Sequence, residues 1–268
     1  MPVTGVLAPY VDALTAYDVV GDPGVHIGMP STSLTLVVPV GEPLDVGWAG
    51  PGGTAGRGRF EANLAGLHTA PAAIHHGRRQ RGVHVGLTVA GARALLGVPA
   101  AALTGTLAEA GDVDPALREL SARLHDAPPD AWRRLVERAL VTALARRDAP
   151  GPRAEVGRAL AALTGGARVA AVADEVGYSR RHLGDLVRAE TGVGPKDFQR
   201  LARFERSHTL VRAGVPLAEV AVRCGFADQS HLTREWVALA GCSPTQWRRH
   251  ELPSVQDDGG DAAAGWVS

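Results

Sequence analysis

The chain has 268 residues, no formal net charge, 45% apolar residues and only 4% aromatics. That length is enough for two domains, each with its own core. Two cysteines, Cys224 and Cys242, exclude a disulfide framework and show no metal-ligand spacing. No stretch approaches about 18 uncharged apolar residues, and no basic region with an apolar run opens the chain, so a soluble cytoplasmic protein is expected.

The first 148 residues read as strands followed by helices, an α+β arrangement. Ser33 to Val40 (STSLTLVVPV ends there) is rich in β-branched residues and bounded by Pro30 and Gly41-Glu42-Pro43, which suits a buried strand. Further strands are predicted over His26–Met29, Leu44–Trp48, Arg59–Leu67, Ala72–His76 and Val83–Val89. Gly50 to Gly58 (GPGGTAGRG) reads as a mobile, turn-rich loop. It lacks the Gly-Lys-Ser/Thr end of a phosphate loop. Arg78 to Arg81 (RRQR), beside Gly77 and Gly82, reads as a solvated hairpin turn. From Gly91 the pattern turns helical: Ala92–Leu96, Ala100–Leu107, Pro115–Leu124 and Asp130–Arg146, the last capped by Asp130. Many short strands with turns between them predict a small barrel or sandwich followed by a helical subdomain. Pro150-Gly151-Pro152 marks a hinge, and residues 253–268 read as a disordered tail.

Beyond the hinge one pattern is written twice. Val169 to Pro195 reads VAAVADEVGYSRRHLGDLVRAETGVGP, and Leu217 to Pro244 reads LAEVAVRCGFADQSHLTREWVALAGCSP. Gly177 and Gly225 align, as do Pro195 and Pro244, a period that marks a duplicated supersecondary unit. Val169, Val172, Ala173 and Val176 fall on one helical face, as do Leu217, Val220, Ala221 and Cys224. Each glycine sits where a helix ends in a left-handed residue. Ser179 and Asp228 are placed to cap the next helices, which bury Leu183, Leu186 and Val187 in one copy and Leu232 and Trp236 in the other. A helix, a short turn and a second helix is the arrangement by which a protein enters the DNA major groove.

The outward residues of the second helices are Ser179, Arg180, Arg181, Gly184, Asp185 and Arg188 in the first copy, and Gln229, Ser230, His231, Thr233 and Arg234 in the second. Arg pairs bidentately with guanine and Gln with adenine, while Ser and Thr meet several acceptors. Residues 1–149 carry 13 basic and 14 acidic side chains, whereas residues 150–252 carry 15 and 11. The positive excess therefore falls on the duplicated region, as phosphate attraction requires.

From Glu155 to Arg249 the chain resembles the DNA-binding domain of AraC-type (AraC/XylS) transcription regulators, most closely in GFADQSHLTREW followed by GCSPTQWR. The resemblance implies an all-α tandem helix-turn-helix domain over residues 153–252. Its two units are joined by one long helix, here Lys196–Val211, with Pro195 in its first turn and Phe198, Leu201, Phe204 and Leu210 facing the flanking units. Such a helix spans roughly 25 Å, compatible with reading helices about 34 Å, one DNA turn, apart. Position by position, Arg181, Gly184 and Asp185, and Gln229, Ser230, Thr233 and Arg234, stand where the family contacts bases. Two positions depart from the pattern: Gly184 has no side chain to read with, and Asp185 replaces a long polar or basic residue.

The resemblance further implies a bacterial source and a cupin-like barrel in residues 1–148 that senses a small molecule or dimerises. His84 to Gly105 (HVGLTVAGARALLGVPAAALTG) is similar to an N-terminal domain of actinobacterial regulators of this type. The partners implied are double-stranded DNA, RNA polymerase, an unidentified small-molecule effector and a second copy of the chain, with no membrane. Cupin-type barrels hold metals with His and Glu, which makes His26, His68, His75, His76 and His84 candidates. The usual His-x-His followed by Glu is absent, and adjacent His75 and His76 face opposite sides of a strand, so no metal, cofactor or catalytic residue is assigned. Two alternatives stand beside the regulator: a cupin-like metal enzyme with a DNA-binding unit attached, and a protein-interaction module.

Overall fold

The computed structural model describes residues 5–50, 53–146 and 153–251. Its first part is built from strands β1 (Val11–Val20), β2 (Gly24–Gly28), β3 (Leu34–Pro39), β4 (Leu44–Gly50), β5 (Gly53–Phe60), β6 (Asn63–Ala65), β7 (Ala72–His76), β8 (Arg79–Leu87) and β9 (Leu107–Glu109). They form two antiparallel sheets, ordered β1-β8-β3-β6-β9 and β2-β7-β4-β5. Among the described residues the small cupin-like barrel expected from the sequence is therefore corrected to two antiparallel sheets that do not close into one barrel. The α+β class holds. In the larger sheet β3 and β8 are central, which is why Leu34, Leu36, Val38, Val83, Val85 and Leu87 are all fully buried.

Several sequence expectations change here. β1 went unpredicted because a bulge near its start shifts the register between Val11 and Ala13, leaving Val11 and Leu14 both buried and breaking the two-residue alternation. Arg59–Leu67 is not one strand but the end of β5 and all of β6, separated at Glu61-Ala62. From Gly53 onward the supposed loop is a strand, β5, whose glycines hide it from pattern reading; it pairs with β4 and is tied by Arg57 to Asp45. Arg79 to Arg81 belongs to β8, where Arg79 pairs with Asp18 and Arg81 donates to the Val40 carbonyl. Gly77-Arg78 is no hairpin turn but the link by which the chain passes from one sheet (β7) to the other (β8). β8 correspondingly ends at Leu87, short of Val89.

The helical connection between the sheets and the C-terminal part consists of α1 (Val89–Gly91), helical turns at Ala92–Leu96 and Ala100–Ala102, α2 (Ala110–Val113), α3 (Pro115–His125) and α4 (Pro129–Arg146). The helix expected over Ala100–Leu107 stops after one turn, because Gly105 adopts φ +73° and the chain then pairs as β9 with β6. α4 starts at Pro129, so Asp130 lies inside its first turn rather than capping it. There its carboxylate meets the positive end of the helix dipole. Trp132 of α4 is buried, and its indole donates to the carbonyls of Leu124 and Ala127 at 3.0 Å.

Seven helices follow: α5 (Ala154–Thr164), α6 (Val169–Glu175), α7 (Arg180–Thr191), α8 (Pro195–Arg212), α9 (Leu217–Cys224), α10 (Gln229–Ala240) and α11 (Pro244–Glu251). The apolar interior does not divide at the expected hinge. One core runs from the larger sheet through Leu95, Ala100, Leu103 and Trp132 to Val156, Val172, Leu183, Val187 and Phe198. The other gathers Leu201, Phe204, Val220, Leu232, Trp236 and Trp247, together with Met29 from the strand region. The boundary between cores falls within α8, between Phe198 and Leu201. Among the described residues no helix is long and apolar enough to cross a membrane. The hinge Pro150–Pro152 and the tail 253–268 lie outside the described residues.

His84 sits on β8 between Thr15 and Val37, and its Nδ1 has no hydrogen-bond partner among the described residues. Burial disfavours the imidazolium and pulls its pKa down to about 4. Because the folded value lies below the unfolded one, the stability involved is complete above about pH 6.5 and is lost as pH falls toward 4, about 3 kcal/mol over that window. Denaturant midpoints of wild type should therefore drop between pH 7 and pH 4.5 more steeply than those of His84→Leu. Parallel pH profiles would refute the assignment.

Candidate nucleic-acid interface

The duplicated units repeat bond for bond. α6 ends at Glu175, and Gly177 follows at φ +75°; α9 ends at Cys224, and Gly225 follows at φ +72°. In both, the residue after the glycine donates back five residues at 2.9 Å, Tyr178 to Ala173 and Phe226 to Ala221, closing the helix end. The chain then turns into the next helix through a side-chain cap. Ser179 Oγ accepts from the His182 amide at 3.2 Å, and Asp228 Oδ1 accepts from the His231 amide at 2.6 Å. These caps satisfy amides that the first turn of a helix leaves unpaired.

Both units are fastened to α8. Phe198 enters the core holding Leu183 and Val187, while Leu201, Phe204 and Val211 enter the core holding Val220, Leu232 and Trp236. Trp236 is fully buried, 5.1 Å from the Phe204 ring, and its indole donates to Ser207 Oγ at 2.9 Å. The tryptophan is thus a packing residue. Arg200 pairs with Glu235 at 2.6 Å, and Arg203 lies 4.9 Å over the Phe226 ring. Cys224 is buried in the same core, and desolvation pushes its thiol pKa up.

What remains outside is the polar start of α7 and of α10, together with Arg188 in the last turn of α7. Ser179, Arg180, Arg181, Asp185 and Arg188 are exposed and Gly184 is half-buried. In the second unit Gln229, Ser230 and Arg234 are exposed, while His231 and Thr233 are half-buried. Among the described residues none of Arg180, Arg181, Arg188 and Arg234 joins an ion pair, in contrast to Arg200 and Arg223 on the scaffold. Two predicted residues have local work as well. His231 Nδ1 accepts from the Ala227 amide at 3.2 Å, with its ring edge-on to Phe226, and Thr233 Oγ1 donates to the Gln229 carbonyl at 2.9 Å. Their polar atoms are partly committed to holding the turn. His182, not among the residues singled out from the sequence, is exposed on α7 with its ring edge-on to Tyr178 at 4.7 Å. Its place one turn from Ser179, beside Arg181, was the available signal.

The candidate histidines of the strand region do not assemble into a centre. His26 and His76 stack at 4.1 Å, His68 packs beside Trp48 with burial lowering its pKa, and His84 is buried elsewhere. Among the described residues no three His, Cys, Asp or Glu side chains are grouped to hold a metal ion.

Comparison with known proteins agrees with this geometry. A family model described as a helix-turn-helix domain matches residues 156–250. A search of curated proteins gives no match. Among solved structures the chain is similar to ToxT from Vibrio cholerae O395, with 11% identity, TM-score 0.51, and 88% of this chain and 96% of that one covered. It is also similar to the C-terminal domain of AraT, a response regulator from Geobacillus stearothermophilus, with 22% identity, TM-score 0.38, and 41% and 97% covered. A third match is a transcriptional regulator with an AraC-type DNA-binding domain from Chromobacterium violaceum, with 19% identity, TM-score 0.35, and 39% and 95% covered. The first of these extends over both parts of the chain and shows a shared fold.

A Cβ at Gly225 would meet nothing within 4 Å, so a substitution there acts through backbone conformation alone. Gly225→Val should destabilise the second unit by about 1–2 kcal/mol, the cost of a left-handed β-branched residue. Urea unfolding checks this, and an unchanged midpoint would contradict the assigned turn.

Proposed function

Residues 156–250 are an AraC/XylS-type helix-turn-helix domain, and from that premise we infer that the chain is a sequence-specific DNA-binding transcription regulator that lays α7 and α10 in successive major grooves. The observation that carries this reading is the contrast along each of these helices. The inner faces, Leu183 and Val187 or Leu232 and Trp236, are fully buried, while the polar starts stay open. α8, with 18 residues, gives the two units a connection about 27 Å long. Allowing for the width of the units, that length suits reading helices one DNA turn apart.

In this reading Arg180, Arg181, Arg188 and Arg234 engage phosphates or guanine edges, Gln229 reads adenine, and Ser179 and Ser230 donate to phosphate beside the helix starts. At the positions matched to base contact, Gly184 and Asp185 leave the first unit Arg181 as its donor, against Gln229, Ser230, Thr233 and Arg234 in the second, so the second supplies more of the base reading. Residues 1–148 serve as a regulatory or dimerisation domain and residues 153–252 as the DNA-binding domain.

Selection of bound duplexes from a random pool tests the proposal: an enriched site with two half-sites about one turn apart is expected, and absence of enrichment would refute it. On that site Arg234→Ala should cost about 1–3 kcal/mol and relax preference at one base pair. An equal loss on every sequence, with a shallower salt dependence, would assign Arg234 to phosphate instead.

A further inference from the structure

Both reading helices end against the strand-containing part of the chain. At the end of α7, Arg93 forms a two-pronged pair with Glu190, Nε to Oε1 at 2.6 Å and Nη2 to Oε2 at 2.9 Å, and the Glu190 side chain is only 8% exposed. At the next residue of α7, Thr104 Oγ1 donates at 2.6 Å to the Thr191 carbonyl, one of the acceptors the helix end leaves unpaired. The Thr104 side chain packs directly on the backbone of the helix end. Gly192 stands at φ +77°, and a Cβ on it would fall 2.4 Å from Thr104 Oγ1. Leu95, Ala100 and Leu103 share one core with Leu183, Val187 and Phe198.

The second unit is met from the other sheet's side of the chain. Glu205 of α8 accepts from the Thr32 hydroxyl at 2.8 Å and from its amide at 3.2 Å. Met29 is buried in the core of Trp236 with Ile27 packed against it. Pro71 lies 3.4 Å from where a Cβ on Gly241 would stand, just past the end of α10. The same part of the chain thus meets the distal ends of both reading helices.

We propose that Arg93 and Thr104 on one side, and Thr32 and Met29 on the other, are positioning residues for DNA recognition: the N-terminal part is a splint that fixes the separation and relative angle of the two reading helices. This rests on the DNA-binding reading above and adds to it that selectivity for half-site spacing resides outside the helix-turn-helix units. α8 joins the units through Phe198 in one core and Leu201, Phe204 and Val211 in the other. The splint adds a charge-assisted, geometrically restrictive fork at one end and an apolar anchor at the other. Arg93 also places positive charge at the negative end of the α7 dipole, so its loss frees the first unit specifically.

The test uses the full chain and the duplex obtained by selection, together with duplexes whose half-sites are moved apart or together by one or two base pairs. Wild type should bind the selected spacing and reject the others. Arg93→Gln should narrow that discrimination by about tenfold, or about 1.4 kcal/mol. Penalties for base changes inside either half-site should stay unchanged, and Glu190→Gln should give the same result. Thr104→Val removes the hydroxyl donor at nearly constant shape and decides the matter if Arg93→Gln does not fold. A loss equal at every spacing, or unaltered spacing discrimination in folded Arg93→Gln and Thr104→Val proteins, would overturn the splint. If wild type shows no preference for any duplex, it is the DNA-binding reading that fails.

Discussion

Helix α8 changes partners part-way along its length, and the rest of the molecule follows from that change. Phe198 is committed to one core, and Leu201, only one turn further on, is committed to the other. A straight helix cannot twist between these neighbours without exposing a buried aromatic or aliphatic side chain, at a cost of about 1.5–3 kcal/mol for each. The two helix-turn-helix units are therefore set in mutual register by side chains rather than by loops.

Around that helix the polar chemistry sorts by role. Arginines on the scaffold are occupied: Arg200 by Glu235, Arg203 by the Phe226 ring, Arg223 by Glu219, and Arg93 by Glu190. Those at the starts of α7 and α10 are not. Glu190, Glu205, Glu219 and Glu235 are tied to partners on the scaffold, while these arginines stay open. Glu205 is a clear case. Burial pushes its pKa up, an effect the Thr32 hydroxyl and amide only partly offset, and the same two hydrogen bonds join α8 to the N-terminal part.

The helix-turn-helix units were legible residue by residue, since caps, left-handed glycines and apolar spacing are local properties. Ser179, Asp228, Gly177 and Gly225 all do what their spacing implied. The strand region was legible where strands are buried on both faces, as in β3, and illegible where a bulge or a run of glycines masks the alternation, as in β1 and β5. A run of short strands with turns fits a barrel and a sandwich equally, so the pattern left closure open, and the strands form two antiparallel sheets. The joining of the two parts left no sequence signal. Arg93 and Glu190 are 97 residues apart, Thr32 and Glu205 are 173 apart, and nothing in the neighbourhood of any of them marks it as paired. For the same reason the expected division into two separate cores gave way to cores that both mix N- and C-terminal residues.

The rigid frame is most directly measured as a distance distribution between nitroxides placed at Ala189 on α7 and Ala238 on α10, which are exposed, equivalent positions in the two units. The account predicts one narrow distance in the full chain, unchanged when the selected duplex is added. A broad distribution in the free protein that sharpens only on DNA would contradict it, since the units would then be set in register by the duplex and not by α8 and its neighbours.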